Sequence, residues 1–66
     1  MKLIPFKRVA IWEFDPEKQK WNLLETGLNP QEAGYRVWEM NEKLPDHERK
    51  AGRQYQVFTD FFDPNK

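Results

Sequence analysis

The sequence predicts an α+β fold: a single small domain of β-β-α-β order, with one helix packed on one face of a three-stranded antiparallel sheet. Two short runs rich in β-branched and aromatic residues flank an Asp-Pro turn signal. A segment with helical spacing of apolar residues and a third alternating run follow them. A chain of 66 residues can bury one hydrophobic core but not two, so we treat residues 1–66 as one domain.

The first two predicted strands, residues 8–14 (RVAIWEF) and 20–26 (KWNLLET), form a hairpin. The turn between them, residues 15–19 (DPEKQ), places aspartate before proline, which suits the first two positions of a type I turn. Proline also ends the first strand, because it has no N–H to donate to a sheet. Closure of this turn predicts that Phe14 pairs with Trp21.

A helix is predicted over residues 30–44, and both of its ends carry boundary signals. Asn29 is a favourable N-cap, and proline suits the first helical position. The apolar residues recur at spacings of four, three and four, and so share one face: Ala33, Val37, Met40 and Leu44. Pro45 ends the helix. Gly34 costs about 1 kcal/mol relative to alanine in a helix, which suggests a close backbone approach there.

The remaining residues complete the sheet. Residues 45–53 (PDHERKAGR) are predicted as a charged loop or a frayed extension of the helix, residues 54–60 as the third strand, and residues 61–66 as a tail. A right-handed crossover carries the third strand past the first, which gives the order 2-1-3. The apolar first strand suits the central position. A parallel third strand beside the second is the alternative.

One short pattern occurs twice: FDPEK at 14–18 returns as FDPNK at 62–66. In each copy the aspartate can accept a hydrogen bond from the backbone ahead of it, and the proline favours a turn. The flanking residues do not align, so we interpret the repeat as one turn chemistry used twice. The tail is then either frayed or folded back, with Phe61 and Phe62 as anchors.

The hairpin pairing predicts that both faces of the sheet are apolar. One face is mainly aromatic and carries Ala10, Trp12, Phe14, Trp21, Leu23 and Phe58. The other is mainly aliphatic and carries Val9, Ile11, Leu24, Thr26 and Val57. One helix covers one face, so an apolar surface is left open. We expect the helix on the aliphatic face; an aromatic core and a tail that closes the open face are the alternatives.

Composition excludes most catalytic chemistry. The chain has no cysteine or serine and no glycine-rich phosphate loop. Its single histidine, His47, stands between Asp46 and Glu48, a poor spacing for three ligands of one metal ion. We therefore predict no enzyme activity, no cofactor and no metal. The lack of cysteine fits a reducing cytoplasm, and no apolar run approaches a membrane span of about 20 residues.

Exposed aromatic residues predict association with a protein, either a heterologous partner or a second copy in a homodimer. The candidate partner-binding residues on the aromatic face are Trp12, Phe14, Trp21, Leu23 and Phe58, and those on the outer side of the helix are Tyr35 and Trp38. The partner can dock on the face, or it can pair its main chain along the edge strand 20–26.

Single-stranded nucleic acid is the alternative ligand, because bases can stack on an aromatic sheet face. The candidate phosphate contacts are Arg8, Arg49, Lys50 and Arg53, with Lys7 and Lys20 nearby in sequence. Eleven basic and eleven acidic residues cancel, however, so no global field attracts a polyanion. Acidic residues on the hairpin also oppose a phosphate backbone.

The element order is similar to that of small phage proteins that bind and inhibit a host enzyme such as RNA polymerase. The resemblance is one of element order without a shared residue motif. It implies a phage-encoded inhibitor or accessory factor that acts by covering part of a larger protein.

Overall fold

A computed structural model describes residues 8–66 of the chain, and residues 1–7 lie outside the described part. The elements are β1 (Val9–Asp15), β2 (Lys20–Leu28), α1 (Pro30–Glu42), α2 (Asp46–Ala51) and β3 (Gln54–Thr59). The strands form one antiparallel sheet of order β2-β1-β3, so the predicted α+β class and strand order are confirmed. Phe14 lies opposite Trp21, as predicted.

The two FDP sequences form the same local structure. The carboxylate of Asp15 accepts a hydrogen bond from the backbone N–H of Glu17 at 3.0 Å. In the second copy the carboxylate of Asp63 accepts from the backbone N–H of Asn65 at 2.9 Å. Both are turns in which an aspartate side chain replaces a backbone acceptor. The interpretation of the repeat as shared turn chemistry is confirmed.

The core lies between α1 and the aliphatic face of the sheet. Its buried members are Val9, Ile11, Ala33 and Val37, and Leu28, Met40, Tyr55 and Val57 pack against them. The helix therefore covers the aliphatic face, as expected, and the aromatic face lies on the opposite side of the sheet. Burial of these side chains away from water stabilises the packing of α1 on the sheet.

The far half of β2 differs from the predicted pairing with β1. A regular pairing continued from Phe14 and Trp21 would place Thr26 opposite Val9, but Leu28 occupies that position because the pairing shifts twice along the strand. Gly27 has a φ of 71°, a left-handed conformation that glycine adopts without steric cost and that is common at bulges. The core thereby gains a leucine where the regular pattern offered a threonine.

The second shift occurs at Leu24. Glu25 rather than Leu24 lies opposite Ile11, and the Leu24 side chain is 47% exposed. The placement of Leu24 on the helix-covered face was therefore wrong. Glu25 instead forms an ion pair with Arg36 of α1 at 2.7 Å, and the hydrogen bond from Arg36 lowers the pKa of Glu25 below its ordinary value.

The boundary signals of α1 act as predicted at its start. The side-chain oxygen of Asn29 accepts from the backbone N–H groups of Gln31 at 2.9 Å and Glu32 at 3.4 Å, which satisfies two donors of the first turn. The helix ends at Glu42, with Lys43 as its C-cap. It is thus two residues shorter than the predicted helix over 30–44.

Residues 45–53 contain the short separate helix α2, and neither the predicted charged loop nor the predicted frayed extension of α1. Acidic residues lie in its first turn and basic residues in its last, an order that complements the helix dipole. Gly52 ends it in a left-handed conformation with a φ of 108°. The high charge of this segment concealed the helix because it leaves no apolar stripe to recognise.

Gly34 has open space around it, so the predicted close backbone approach is wrong: apart from its chain neighbours and the backbone of its own helix, no described atom lies within 4 Å of a Cβ placed there. Gly34→Ala should therefore raise the free energy of unfolding by about 0.5–1 kcal/mol, since alanine loses less backbone entropy in a helix. Urea denaturation measures the change. Gly52→Ala is the control and should lower stability, because its φ disfavours any side chain. A destabilised Gly34→Ala variant would contradict this account.

Candidate protein-binding surfaces

The side of the sheet away from α1 carries a series of aromatic contacts. We name it the aromatic face, formed by Ala10, Trp12, Phe14, Trp21, Leu23 and Phe58. The ring of Trp21 meets Phe14 at a centroid distance of 5.2 Å and Phe58 at 5.3 Å, both edge to face. The indole N–H of Trp12 is buried without a hydrogen-bond partner among residues 8–66. The face thus includes one donor that no described residue satisfies.

The C-terminal tail (residues 61–66) folds back onto the aromatic face. The ring of Phe62 packs on Phe58 with centroids 5.1 Å apart. The side-chain amide of Asn65 accepts from the backbone N–H of Trp21 at 2.8 Å and donates to its carbonyl at 2.9 Å. Phe61, in contrast, is fully exposed. Of the two predicted alternatives for the tail, the folded-back one is therefore correct, with Phe62 and not Phe61 as its aromatic anchor.

Asparagine side chains pair with the backbone on both outer edges of the sheet. Asn65 does so with Trp21 of β2, and Asn41 of α1 does so with Tyr55 of β3. In the second pair the Asn41 amide accepts from the Tyr55 N–H at 2.9 Å and donates to its carbonyl at 3.0 Å. Each amide imitates the peptide group of an additional strand, so an incoming strand cannot use that position unless the amide leaves.

The other end of β2 is also in contact with the chain that follows β3. The backbone N–H of Gly27 donates to the carboxylate of Asp60 at 3.2 Å, while the Arg8 guanidinium donates to the Gly27 carbonyl at 3.4 Å. The backbone N–H of Asp60 bonds to the Arg8 carbonyl at 3.2 Å. These contacts fix the point from which the tail departs.

A second aromatic surface lies on the outer side of α1. Tyr35 and Trp38 are 62% and 60% exposed, and their ring centroids lie 6.2 Å apart at an interplanar angle of 30°. The spacing of three residues places the two side chains on adjacent turns of the helix. They pack on each other and leave most of their apolar area in contact with water.

Arg53 lies among three carboxylates. Its guanidinium is 3.1 Å from Glu13, 3.0 Å from Glu48 and 3.8 Å from Asp15, which ties α2 to the hairpin. The hydroxyl of Tyr55 lies 3.4 Å from Glu13, and burial, reinforced by the charge of Glu13, raises the pKa of Tyr55. The positive charge of Arg53 is therefore engaged inside the molecule.

The other candidate phosphate contacts have mixed surroundings. Arg49 donates to the carbonyls of Asn41 at 3.0 Å and Leu44 at 3.3 Å, both near the C-terminal end of α1. Arg8 and Lys50 are exposed, and Lys7 lies outside the described residues. Arg49 and Arg53 thus point to partners near the end of α1, on α2 and on the hairpin.

Sequence reasoning missed the two asparagines that pair with strand edges. Asn41 pairs with a residue 14 positions away, and Asn65 with one 44 positions away. A partial signal exists for Asn41, which lies on the same side of the helix as Val37 and so near the sheet. For Asn65 the partial signal is the second FDP sequence, which predicts a turn just before this residue.

Comparison of the chain with protein-family models, curated protein sequences and solved structures finds no match. Within residues 8–66, no group of three or more histidine, cysteine, aspartate or glutamate side chains is arranged to hold a metal ion. Over the same residues, neither length nor hydropathy allows a helix to cross a membrane.

Proposed function

We propose that the protein is a small non-catalytic protein-binding domain, an inhibitor or accessory factor that acts by covering part of a larger protein. The observation that carries the proposal is the exposed pair Tyr35 and Trp38 on α1. Large aromatic side chains are enriched among the residues that dominate interface energies. An exposed pair of them leaves apolar area in water that a partner would remove from it.

The opposite side of α1 supports this role. Ala33 and Val37 are buried against the sheet, so the backbone that holds the two rings is fixed before any partner arrives. A preorganised pair of rings loses little conformational entropy on binding, which favours affinity. The aromatic face is a less accessible surface, because Phe62 and Asn65 already occupy part of it.

The charges favour a protein over a nucleic acid. Arg53 is paired with carboxylates, and Arg49 donates to backbone carbonyls. Phosphate binding would need these cations to leave their present partners, and the chain has no net positive charge to offset that cost. A second copy of the chain is the other candidate partner, and the experiment below distinguishes the two.

The double variant Tyr35→Ala with Trp38→Ala should strongly weaken partner binding while the fold is retained, because both side chains are exposed and neither contributes to the core. The immobilised wild-type chain, incubated with extract of its native cell or host, should retain a partner that the double variant does not. Interface aromatics of this kind are worth about 2 kcal/mol or more, roughly a 30-fold loss of affinity. Binding to the purified partner by calorimetry then gives the size of the effect.

Leu24→Ala is the matched control, since it removes an exposed apolar side chain from β2 and should leave binding unchanged. Circular dichroism verifies that each variant is folded. Retention of every partner by the double variant would contradict the proposal. Concentration-dependent dimerisation that the double variant abolishes would identify a second copy as the partner. Retention on single-stranded DNA or RNA that falls steeply with salt would favour nucleic acid.

A further inference from the structure

The aromatic face is already occupied by the C-terminal tail of the same chain. Phe62 supplies a ring to Phe58, and three residues later Asn65 supplies an amide to the Trp21 backbone. We infer that this face and the adjoining edge of β2 bind a peptide segment of another protein with the pattern Phe-Asp-Pro-Asn, and that the tail is its intramolecular competitor. The inference rests on the proposed protein-binding function but assigns a second surface and a class of partner.

The contacts of the tail are of a kind that a competitor can replace. Both Asn65 hydrogen bonds to Trp21 are exposed to solvent, and Phe62 remains about half exposed. The equivalent pair of Asn41 with Tyr55 is partly buried and is fixed by a helix. Segments with exposed hydrogen bonds and few buried contacts open at the lowest free energy. The Asn65 contact is therefore the displaceable one of the two.

The chemistry of the incoming peptide follows from what the tail supplies. An aromatic ring is needed to stack on Phe58, and a side-chain amide is needed to donate and accept at Trp21. The carboxylate of Asp63 fixes the turn between them by accepting from the Asn65 N–H at 2.9 Å. Proline restricts the same turn, so a peptide with this sequence loses little entropy when it binds.

The start of the tail favours another protein over a second copy as the source of this peptide. Phe62 N–H bonds to the Thr59 carbonyl at 3.0 Å, and Asp60 accepts from Gly27 at 3.2 Å. Exchange of tails between two copies would have to open this turn in both chains. A separate peptide has only to displace the Asn65 amide and the Phe62 ring.

The test uses the full chain and a synthetic peptide of residues 59–66, TDFFDPNK, with the backbone amide of Trp21 followed by NMR. The variant Asn65→Ala should bind this peptide up to about fivefold more tightly than the wild type, because loss of the Asn65 contacts weakens the competing tail. The control peptide TDFFDPAK should bind the variant up to about fivefold more weakly than TDFFDPNK, since it lacks the amide. Lys66→Ala, a change in the tail outside these contacts, should behave as the wild type.

Several results would overturn the inference. One is an unchanged Trp21 amide signal at saturating peptide in a well-dispersed Asn65→Ala spectrum; equal affinity of the two peptides is another. If Asn65→Ala perturbs the whole spectrum, Phe62→Ala replaces it, with the same expected gain in peptide affinity. Dimers of the wild type that the peptide dissociates would show a second copy to be the occupant. Trp38→Ala should not alter peptide binding, so failure here is distinct from failure of the Tyr35 and Trp38 surface.

Discussion

Replacement of Ile11 by alanine should lower the free energy of unfolding by about 2–5 kcal/mol, the range for truncation of a large buried aliphatic residue. Ile11 is 1% exposed and is the largest fully buried side chain among the described residues. Folded domains are stabilised by about 0.05–0.15 kcal/mol per residue, so a 66-residue chain has only about 3–10 kcal/mol in total. The variant should therefore lose a large share of its free energy of unfolding.

Two further variants determine whether the effect arises from the cavity. Ile11→Val should cost about 0.5–1.5 kcal/mol, because it removes one methylene from the same position. Leu24→Ala removes an exposed side chain at a register shift. It should change the free energy of unfolding by no more than about 0.5 kcal/mol. Urea denaturation followed by tryptophan fluorescence measures all three. An Ile11→Ala variant as stable as Leu24→Ala would show that the core is not where the structure places it.

Loss of the Asn41 amide should be the second large effect. Asn41→Leu keeps a similar side-chain volume but leaves the N–H and carbonyl of Tyr55 without a partner at a partly buried position. An unsatisfied group of this kind costs about 1–3 kcal/mol. Chemical denaturation gives the total, and hydrogen exchange at the Tyr55 amide should accelerate in the same variant.

Asn65→Ala provides the comparison, because Asn65 makes the same two hydrogen bonds with Trp21 at an exposed position. Water can replace the lost amide there, so the cost should be at most about 1 kcal/mol. Equal losses for the two substitutions would mean that burial does not distinguish the two edges of the sheet. The tail would then be as firmly held as the helix.

The parts of the fold that the sequence predicts well are those set by neighbouring residues. The Asp-Pro turn fixed the pairing of Phe14 with Trp21, and spacing along the helix placed Ala33 and Val37 on the buried side. Both signals operate over a few residues, so tertiary contacts have little opportunity to override them. The central position of β1 followed from its apolar character.

The errors have a different physical origin. A glycine in a strand is compatible with either a regular or a shifted pairing, and only the contact of Leu28 with the core decides between them at Gly27. In α2 the charges at the helix ends favour the helix without producing an apolar stripe. At the candidate surfaces, exposure of Tyr35 and Trp38 could be predicted from helical position. The contacts of Asn41 and Asn65 could not, because they join residues distant in sequence.

The two register shifts of β2 have a consequence for insertions and deletions. Each shift adds one residue and so exchanges the inward and outward positions of everything beyond it. After two shifts the alternation returns to its original phase. Even-numbered residues such as Asn22 and Leu28 therefore lie opposite odd-numbered residues of β1, whereas between the shifts the odd-numbered Glu25 does so. Removal of Leu24 alone would take out the extra residue of one shift and keep Glu25 opposite Ile11 and Leu28 opposite Val9, whereas a deletion within the regular pairing would turn the residues beyond it to the other face. β2 should therefore tolerate the loss of a residue at either of its two shifts better than a loss elsewhere along the strand.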